Sequence, residues 1–374
     1  MKVLFISNDP TIFDPESPLR TRERMRAYAD AIGELHIISR GSETKDETDG
    51  PLFLHSIKPL PTVLGRTLFL YTFGKRARKL VKELGIEVVS AQDPFEHGAA
   101  ARRAVSGTNA KLHIQVHTDF LSPYFAKESR KNKARVRIAD SVLPQATGVR
   151  VVSERIKKSL VERYGDRIPE PVVIPIAAAV PAPENAPPPK FSFKFSLLAV
   201  SRLEKEKCIG DLIRAVATLA KTHYPVGLYV VGAGRDRAAL STLASTLGIS
   251  ERVIFLGEQP NVAALFARAQ VFVQASSYEG YGRTYIEAAL VGVPMVVTDT
   301  GIIGEVFKNG ESALVCPVGD VACLTHAIAT LIEENAERVR IGGNARRAAE
   351  MHLSTMGNVP ERIAADLAQL IARV

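Results

Sequence analysis

Short apolar runs alternate with helix-patterned stretches along almost the whole chain, and the alternation is broken once, by a proline-rich segment near the middle. Before that segment, Val3–Ser7, Leu35–Ser39, Ile86–Ala91, Lys111–His117 and Val149–Ser153 read as buried strands. Helical patterns at Arg22–Ile32, Lys75–Leu84, Gly98–Val105 and Glu154–Tyr164 lie among them. At Ala177–Lys190 five prolines exclude a helix or a central strand, so 181–190 is expected to be a linker. Strands are then expected at Phe195–Ser201, Gly227–Val231, Val253–Leu256, Val271–Gln274, Met295–Thr298 and Ala313–Val315. Helices are expected at Asp211–Lys221, Asp236–Leu247, Asn261–Ala267, Arg283–Val291 and Val321–Glu334. Strand and helix taking turns implies parallel sheets. The expected class is α/β, with two doubly wound, Rossmann-like domains at 1–180 and 191–355 facing across a cleft, because such sheets bind ligands at the carboxyl ends of their strands. Two last helices, Ala336–His352 and Gly357–Arg373, are expected to split near Leu353–Met356.

A length of 374 residues suits two cores better than one. With 46% apolar and 24% charged residues the composition is that of a globular chain. No apolar run approaches the roughly 18 residues that span a bilayer. The opening Lys2–Ser7 run is short for a signal peptide, so a cytoplasmic location, at most at the inner face of the membrane, is expected. Cys208, Cys316 and Cys323 lack a C-x-x-C spacing and an even count, so a disulfide or zinc site is not expected and they read as small buried hydrophobes. Residues 1–185 hold 29 Lys+Arg against 22 Asp+Glu, while the remainder holds 19 against 18, so nearly all of the net +8 belongs to the first half. The segments Arg66–Lys82 and Lys127–Arg137 each carry six basic residues, the first mixed with aromatics, as solvated helix faces or as a surface for anionic membrane or substrate do.

The chemistry concentrates in residues 276–305, S-S-Y-E-G-Y-G-R-T-Y-I-E-A-A-L-V-G-V-P-M-V-V-T-D-T-G-I-I-G-E. This reads as strand end, tight loop, helix and strand. The loop Glu279–Thr284 presents backbone N–H groups at the start of a helix, which is a ready anion site. Glu279 and Glu287 straddle that loop eight positions apart, as suits a ligand joining phosphate to many hydroxyls. The string resembles the Glu-x7-Glu motif of retaining glycosyltransferases of family 4, whose fold is called GT-B. The resemblance implies a donor site for a nucleotide diphosphate sugar, UDP- or GDP-linked, at Gly280, Tyr281, Gly282, Arg283, Thr284 and Glu287, with Glu279 among the catalytic residues. Upstream, Ser201–Cys208 looks like the family's G-R-L-x-x-x-K-G, with Arg202 and Lys207 at its diphosphate-clasping cations and Cys208 in place of its glycine. Fixed cations would stabilise the departing diphosphate. The resemblance further implies that the last helix, 356–374, crosses back onto the first domain.

Val231–Arg235 contains a lone G-x-G, which without a third glycine makes a strand–helix turn rather than a dinucleotide site. In the first half, His117 and Asp93 follow buried strands, and the family often has a histidine at the first of these places. Both are read as catalytic candidates, Asp93 as the residue that holds or deprotonates the acceptor hydroxyl. Two departures stand out: Asn8–Pro18 lacks the family's paired glycines, and Ile302 replaces a second glycine after Gly301. The resemblance implies transfer to an unidentified acceptor with retention. No Asp-x-Asp is present, so neither a metal nor any other cofactor is expected. Nucleotide sugar and acceptor are the expected partners, with peripheral membrane contact through the basic half and no nucleic acid. A hydrolase or epimerase of the same fold, or a non-catalytic binding relative, would share part of these motifs.

Overall fold

The computed structural model describes residues 1–7, 9–14, 21–58, 63–177, 190–222, 224–259 and 262–372, with the side chains of all of these but 63–71. Part of Asn8–Pro18, the linker apart from Lys190, and the side chains of the basic segment from Arg66 to Tyr71 lie outside the described residues. The chain forms two compact units, Met1–Pro175 with Gly357–Val374, and Ile176–Met356.

In the first unit the strands are β1 (Lys2–Ile6), β2 (Glu34–Arg40), β3 (Lys45–Asp49), β4 (Leu52–Ile57), β5 (Val88–Ala91), β6 (Lys111–Val116), β7 (Gly148–Val151) and β8 (Val172–Val173). The helices are α1 (Thr21–Ile32), α2 (Val63–Leu84), α3 (Glu96–Val105), α4 (Phe125–Glu128), α5 (Arg130–Val142) and α6 (Glu154–Tyr164). The sheet order is β3-β4-β2-β1-β5-β6-β7-β8, and only β3 runs antiparallel to its neighbour. β1 and β5 buried on nearly every position explain why these strands read as continuous apolar runs. The sequence reading passes over β3 because K-D-E-T-D has no apolar face. This edge strand is held by charge instead: Arg22 meets Glu47 at 3.1 Å and Asp49 at 3.2 Å, and Arg76 meets Asp46 at 3.0 Å.

The second unit contains β9 (Phe195–Val200), β10 (Val226–Val231), β11 (Val253–Gly257), β12 (Val271–Gln274), β13 (Met295–Thr298) and β14 (Leu314–Cys316). Its helices are α7 (Ile209–Lys221), α8 (Arg237–Thr246), α9 (Val262–Phe266), α10 (Arg283–Val291), α11 (Val321–Glu333) and α12 (Asn335–Met356). The order β11-β10-β9-β12-β13-β14 is parallel throughout. α7 lays Ile209, Leu212, Ile213, Val216 and Leu219 against the sheet at helical spacing, all buried. Burying each such side chain contributes roughly 1.5–3 kcal/mol before the entropy of ordering it is counted.

Three sequence expectations are corrected. Cys316, at the end of β14, is disulfide-bonded to Cys323 in the first turn of α11, with Cα atoms 5.7 Å apart. Asp320 caps that turn through the Cys323 N–H at 2.8 Å, and the strand-to-helix return, which no spacing rule encodes, brings the two sulfurs together. α2 begins at Val63 instead of Lys75. α12 runs on to Met356 because nothing in Leu353–Met356 opposes a helix, and the break falls at Gly357, whose φ is +64°. The last helix, α13 (Val359–Ala372), packs within the first unit: Arg362 donates to the Val173 carbonyl at 2.8 Å, and Asp366 lies 3.2 Å from the buried His113. The two atoms approach without the geometry of a hydrogen bond.

Candidate active site

Strand order reverses between β9 and β12 in the second unit, and the loops leaving the carboxyl ends of these two strands carry the motif residues. Such a switch point is where open α/β sheets bind ligands. Lys207, after β9, meets Glu279, after β12, at 2.5 Å, with both side chains only 12% exposed. The same Glu279 oxygen, Oε1, accepts from Gln274 Nε2 at 2.7 Å and from the Ser276 hydroxyl at 2.8 Å. Gln274 is itself fixed, since its Oε1 accepts from the Thr284 hydroxyl at 2.8 Å. Ser277 N–H donates to the Glu206 carbonyl at 2.8 Å, which ties the two loops together through the backbone. Gln274 and Ser276 were not singled out in the sequence, although a polar residue closing the apolar V-F-V-Q strand was the available signal.

Gly282 stands at the N-cap of α10 with φ +88° and no side-chain cap; the Tyr285 N–H turns back to the Gly282 carbonyl at 3.0 Å, and the N–H groups of Arg283 and Thr284 lie ahead of that bond, where helix starts receive anions. A Cβ there would strike the Tyr285 ring. Glu287 pairs with Arg283 at 3.1 Å, and burial raises its pKa against the pull of that guanidinium. Tyr281 is buried, shares a hydrogen bond of 2.8 Å with His352, and is kept protonated by burial and by Glu305. That contact ties the loop to α12. Gly280 precedes it in the same loop. Arg202 is 73% exposed and rests on Glu206 at 2.9 Å. The G-x-G serves close packing: a Cβ on Gly234 would collide with the Leu203 backbone, while Leu203 N–H donates to Ala233 O at 2.8 Å. Cys208 is the one non-glycine with positive φ among the described residues, at +48°, so the left-handed turn persists where the usual glycine is missing.

In the first unit, Asp93 and His117 follow β5 and β6. Burial pushes the Asp93 carboxyl up, but the His97 ring and the N–H groups of Phe95 and His97 outweigh it and hold the pKa low. These contacts occupy both Asp93 oxygens at the start of α3. His117 is brought down to about 3, first by burial and then by the Arg150 charge. Asp119, two residues on, moves the other way, to about 6, because burial outweighs Arg155 and the Ser122 N–H. A carboxyl with a folded pKa above its unfolded value binds its proton more tightly when folded, so its effect on stability is absent below about pH 4 and grows unfavourable as pH rises to about 6. Asp119→Asn is therefore expected to stabilise the protein by on the order of 2 kcal/mol near pH 8 and to change little near pH 4. Urea unfolding of both proteins at the two pH values checks this, and an equal difference at both removes Asp119 as the cause.

Two family models match: Glycosyl transferases group 1 over residues 184–348 and Glycosyltransferase Family 4 over residues 20–177. Each match covers most of one unit and a little over two fifths of the chain, so the first unit resembles glycosyltransferase family 4 and the second the group 1 glycosyl transferases. It is 32% identical over 152 residues, 41% of this chain and 40% of the relative, to N-acetyl-alpha-D-glucosaminyl L-malate synthase of Bacillus anthracis. The aligned part thus spans about two fifths of that relative's length. Sucrose-phosphate synthase from Thermosynechococcus elongatus superposes with TM-score 0.81 at 19% identity, covering 100% of both chains. Anabaena HepE in complex with UDP-glucose does so with TM-score 0.74 at 20% identity, covering 99% of this chain and 100% of that one. The fold is GT-B. No helix among the described residues is long and apolar enough to cross a membrane.

Proposed function

We propose that this protein is a glycosyltransferase that moves a sugar from a nucleoside diphosphate sugar, UDP- or GDP-linked, to an acceptor hydroxyl, with retention and without a metal. The observation that carries the reading is the Lys207–Glu279 pair at the switch point of the second unit, beside the uncapped start of α10. Lys207 and the α10 N–H groups answer the charge that gathers on the departing diphosphate, and Arg202 is long enough to join them. Glu279 and Glu287 accept from sugar and ribose hydroxyls. His117 belongs to the acceptor side, where Asp93 orders the loop after β5. Retention rests on the Glu-x7-Glu resemblance, and the UDP-glucose complex of the Anabaena neighbour favours a uridine donor.

A thermal-shift screen against UDP-, GDP-, ADP- and dTDP-sugars tests the donor, since a ligand present at about 100 times its Kd adds about 2.7 kcal/mol to the folded state. One of the first two is expected to raise the midpoint, with or without EDTA, and transfer is expected to survive chelation. Activity regained only on adding Mg²⁺ or Mn²⁺ would overturn metal independence, and no shift with any donor would overturn the nucleotide-sugar reading. The basic excess of residues 1–185 supports a reading in which the acceptor lies at an anionic membrane surface, where each nearby Lys or Arg contributes about 1 kcal/mol. Co-sedimentation is expected with vesicles containing anionic lipid, falling as salt rises. Equal, negligible sedimentation with neutral vesicles would point to a soluble acceptor instead.

A further inference from the structure

Below His117 the first unit holds a buried polar chain that the reaction scheme does not use. Arg150, on β7 and 2% exposed, donates from Nη1 to Gln115 Oε1 at 2.6 Å. Its Nε and Nη2 donate to the carbonyls of Ile174 and Pro175, each at 3.1 Å, so the guanidinium is clamped on three sides. Guanidinium nitrogens only donate, which fixes the Gln115 amide with its oxygen toward Arg150. At the other end, Gln115 Nε2 donates to the Ser90 hydroxyl at 2.9 Å, which agrees with that orientation. The Nε2 of His117 lies 3.1 Å from the same Gln115 oxygen. An amide oxygen has no proton to give, so the proton in that contact must sit on His117 Nε2.

We propose that Gln115 and Arg150 lock His117 as a neutral imidazole protonated on Nε2, leaving Nδ1 as a hydrogen-bond acceptor for a substrate hydroxyl. This rests on the reading of His117 as part of the transfer site. A second proton would create an imidazolium opposed by the charges of Arg150 on β7 and Arg24 on α1, while Asp93 favours it. Burial opposes it as well. The ring therefore positions a hydroxyl by accepting from it, and does not carry a proton through the reaction near neutral pH. Gln115 and Arg150 act through His117 and are positioning residues.

Ring ¹⁵N NMR of the histidine-labelled full chain reads both the tautomer and the charge. In the wild type, His117 is expected to hold its proton on Nε2 and to show no titration from about pH 5.5 to about pH 8.5, where an ordinary histidine titrates. Gln115→Glu puts a carboxylate of equal size against the ring and beside Arg150. It is expected to raise the His117 pKa by at least about one unit and to make the turnover profile correspondingly more pH-dependent. The thermal shift produced by the donor, bound by the other unit, is expected to stay as in the wild type. A wild-type ring that titrates near its ordinary pKa, or that carries its proton on Nδ1, overturns the lock. A locked ring in a protein whose His117→Ala variant transfers sugar at the wild-type rate overturns the substrate contact while leaving the lock in place.

Discussion

Lys207→Ala is expected to lower sugar transfer by about 100-fold or more, the loss seen when a preorganised charge partner of a transition state is removed. The effect has two sources in this site. The departing diphosphate loses its cation, and the Glu279 carboxylate, only 12% exposed, loses its charge partner while keeping Gln274 and Ser276 as donors. Glu279→Gln is expected to be milder, about 10-fold, because the amide oxygen can still accept and only the charged part of the hydrogen bonding disappears. The two residues share one contact, so the double variant is expected to lose less than the product of the single losses. Steady-state kinetics on variants shown by circular dichroism to be folded gives all three numbers. Wild-type kcat/KM in Lys207→Ala would remove the ion pair from the reaction, and strictly multiplicative losses would mean that the two side chains act independently.

Gly282→Val is expected to destabilise the protein by about 2–4 kcal/mol and to abolish the thermal shift produced by the donor. A β-branched residue at φ +88° is strained in its backbone, and its Cβ would drive into the Tyr285 ring. That ring cannot yield freely, because the Tyr285 hydroxyl shares a hydrogen bond of 2.9 Å with Thr300 and the ring is fully buried. Gly282→Ala is expected to show a smaller loss in the same direction, since alanine meets the same clash with one carbon. Denaturant unfolding measures the stability, and a valine variant within about 0.5 kcal/mol of the wild type would show that the loop tolerates another conformation.

Much of this protein was legible in the chain because burial leaves a local trace. Most of the parallel strands are covered on both faces and stand out as apolar runs, though β4, which carries His55 and Ser56, and the two-residue β8 do not, and the 276–305 string shows its anion loop through Gly280 and Gly282 and its helix through Ile286 to Val291. Even the substitution at Cys208 kept the meaning of its position, since the backbone there is left-handed whichever residue occupies it. These features depend on a residue and its near neighbours.

Tertiary structure decided what depends on residues far apart in the chain. β3 is a strand because α1 and α2 supply Arg22, Arg26 and Arg76 to an acidic segment with no apolar periodicity. Cys316 and Cys323 meet because β14 turns directly into α11. Lys207 and Glu279 are 72 positions apart, and only the pairing of β9 beside β12 makes them neighbours. The protonation of His117 is set in the same way, by Gln115 on β6, the strand that His117 follows, together with Arg150 from β7, which is 35 positions away from Gln115. Residue type and spacing announce which groups can carry charge or protons; which partner each one faces, and so how it ionises, is set by the strand order that packs them together.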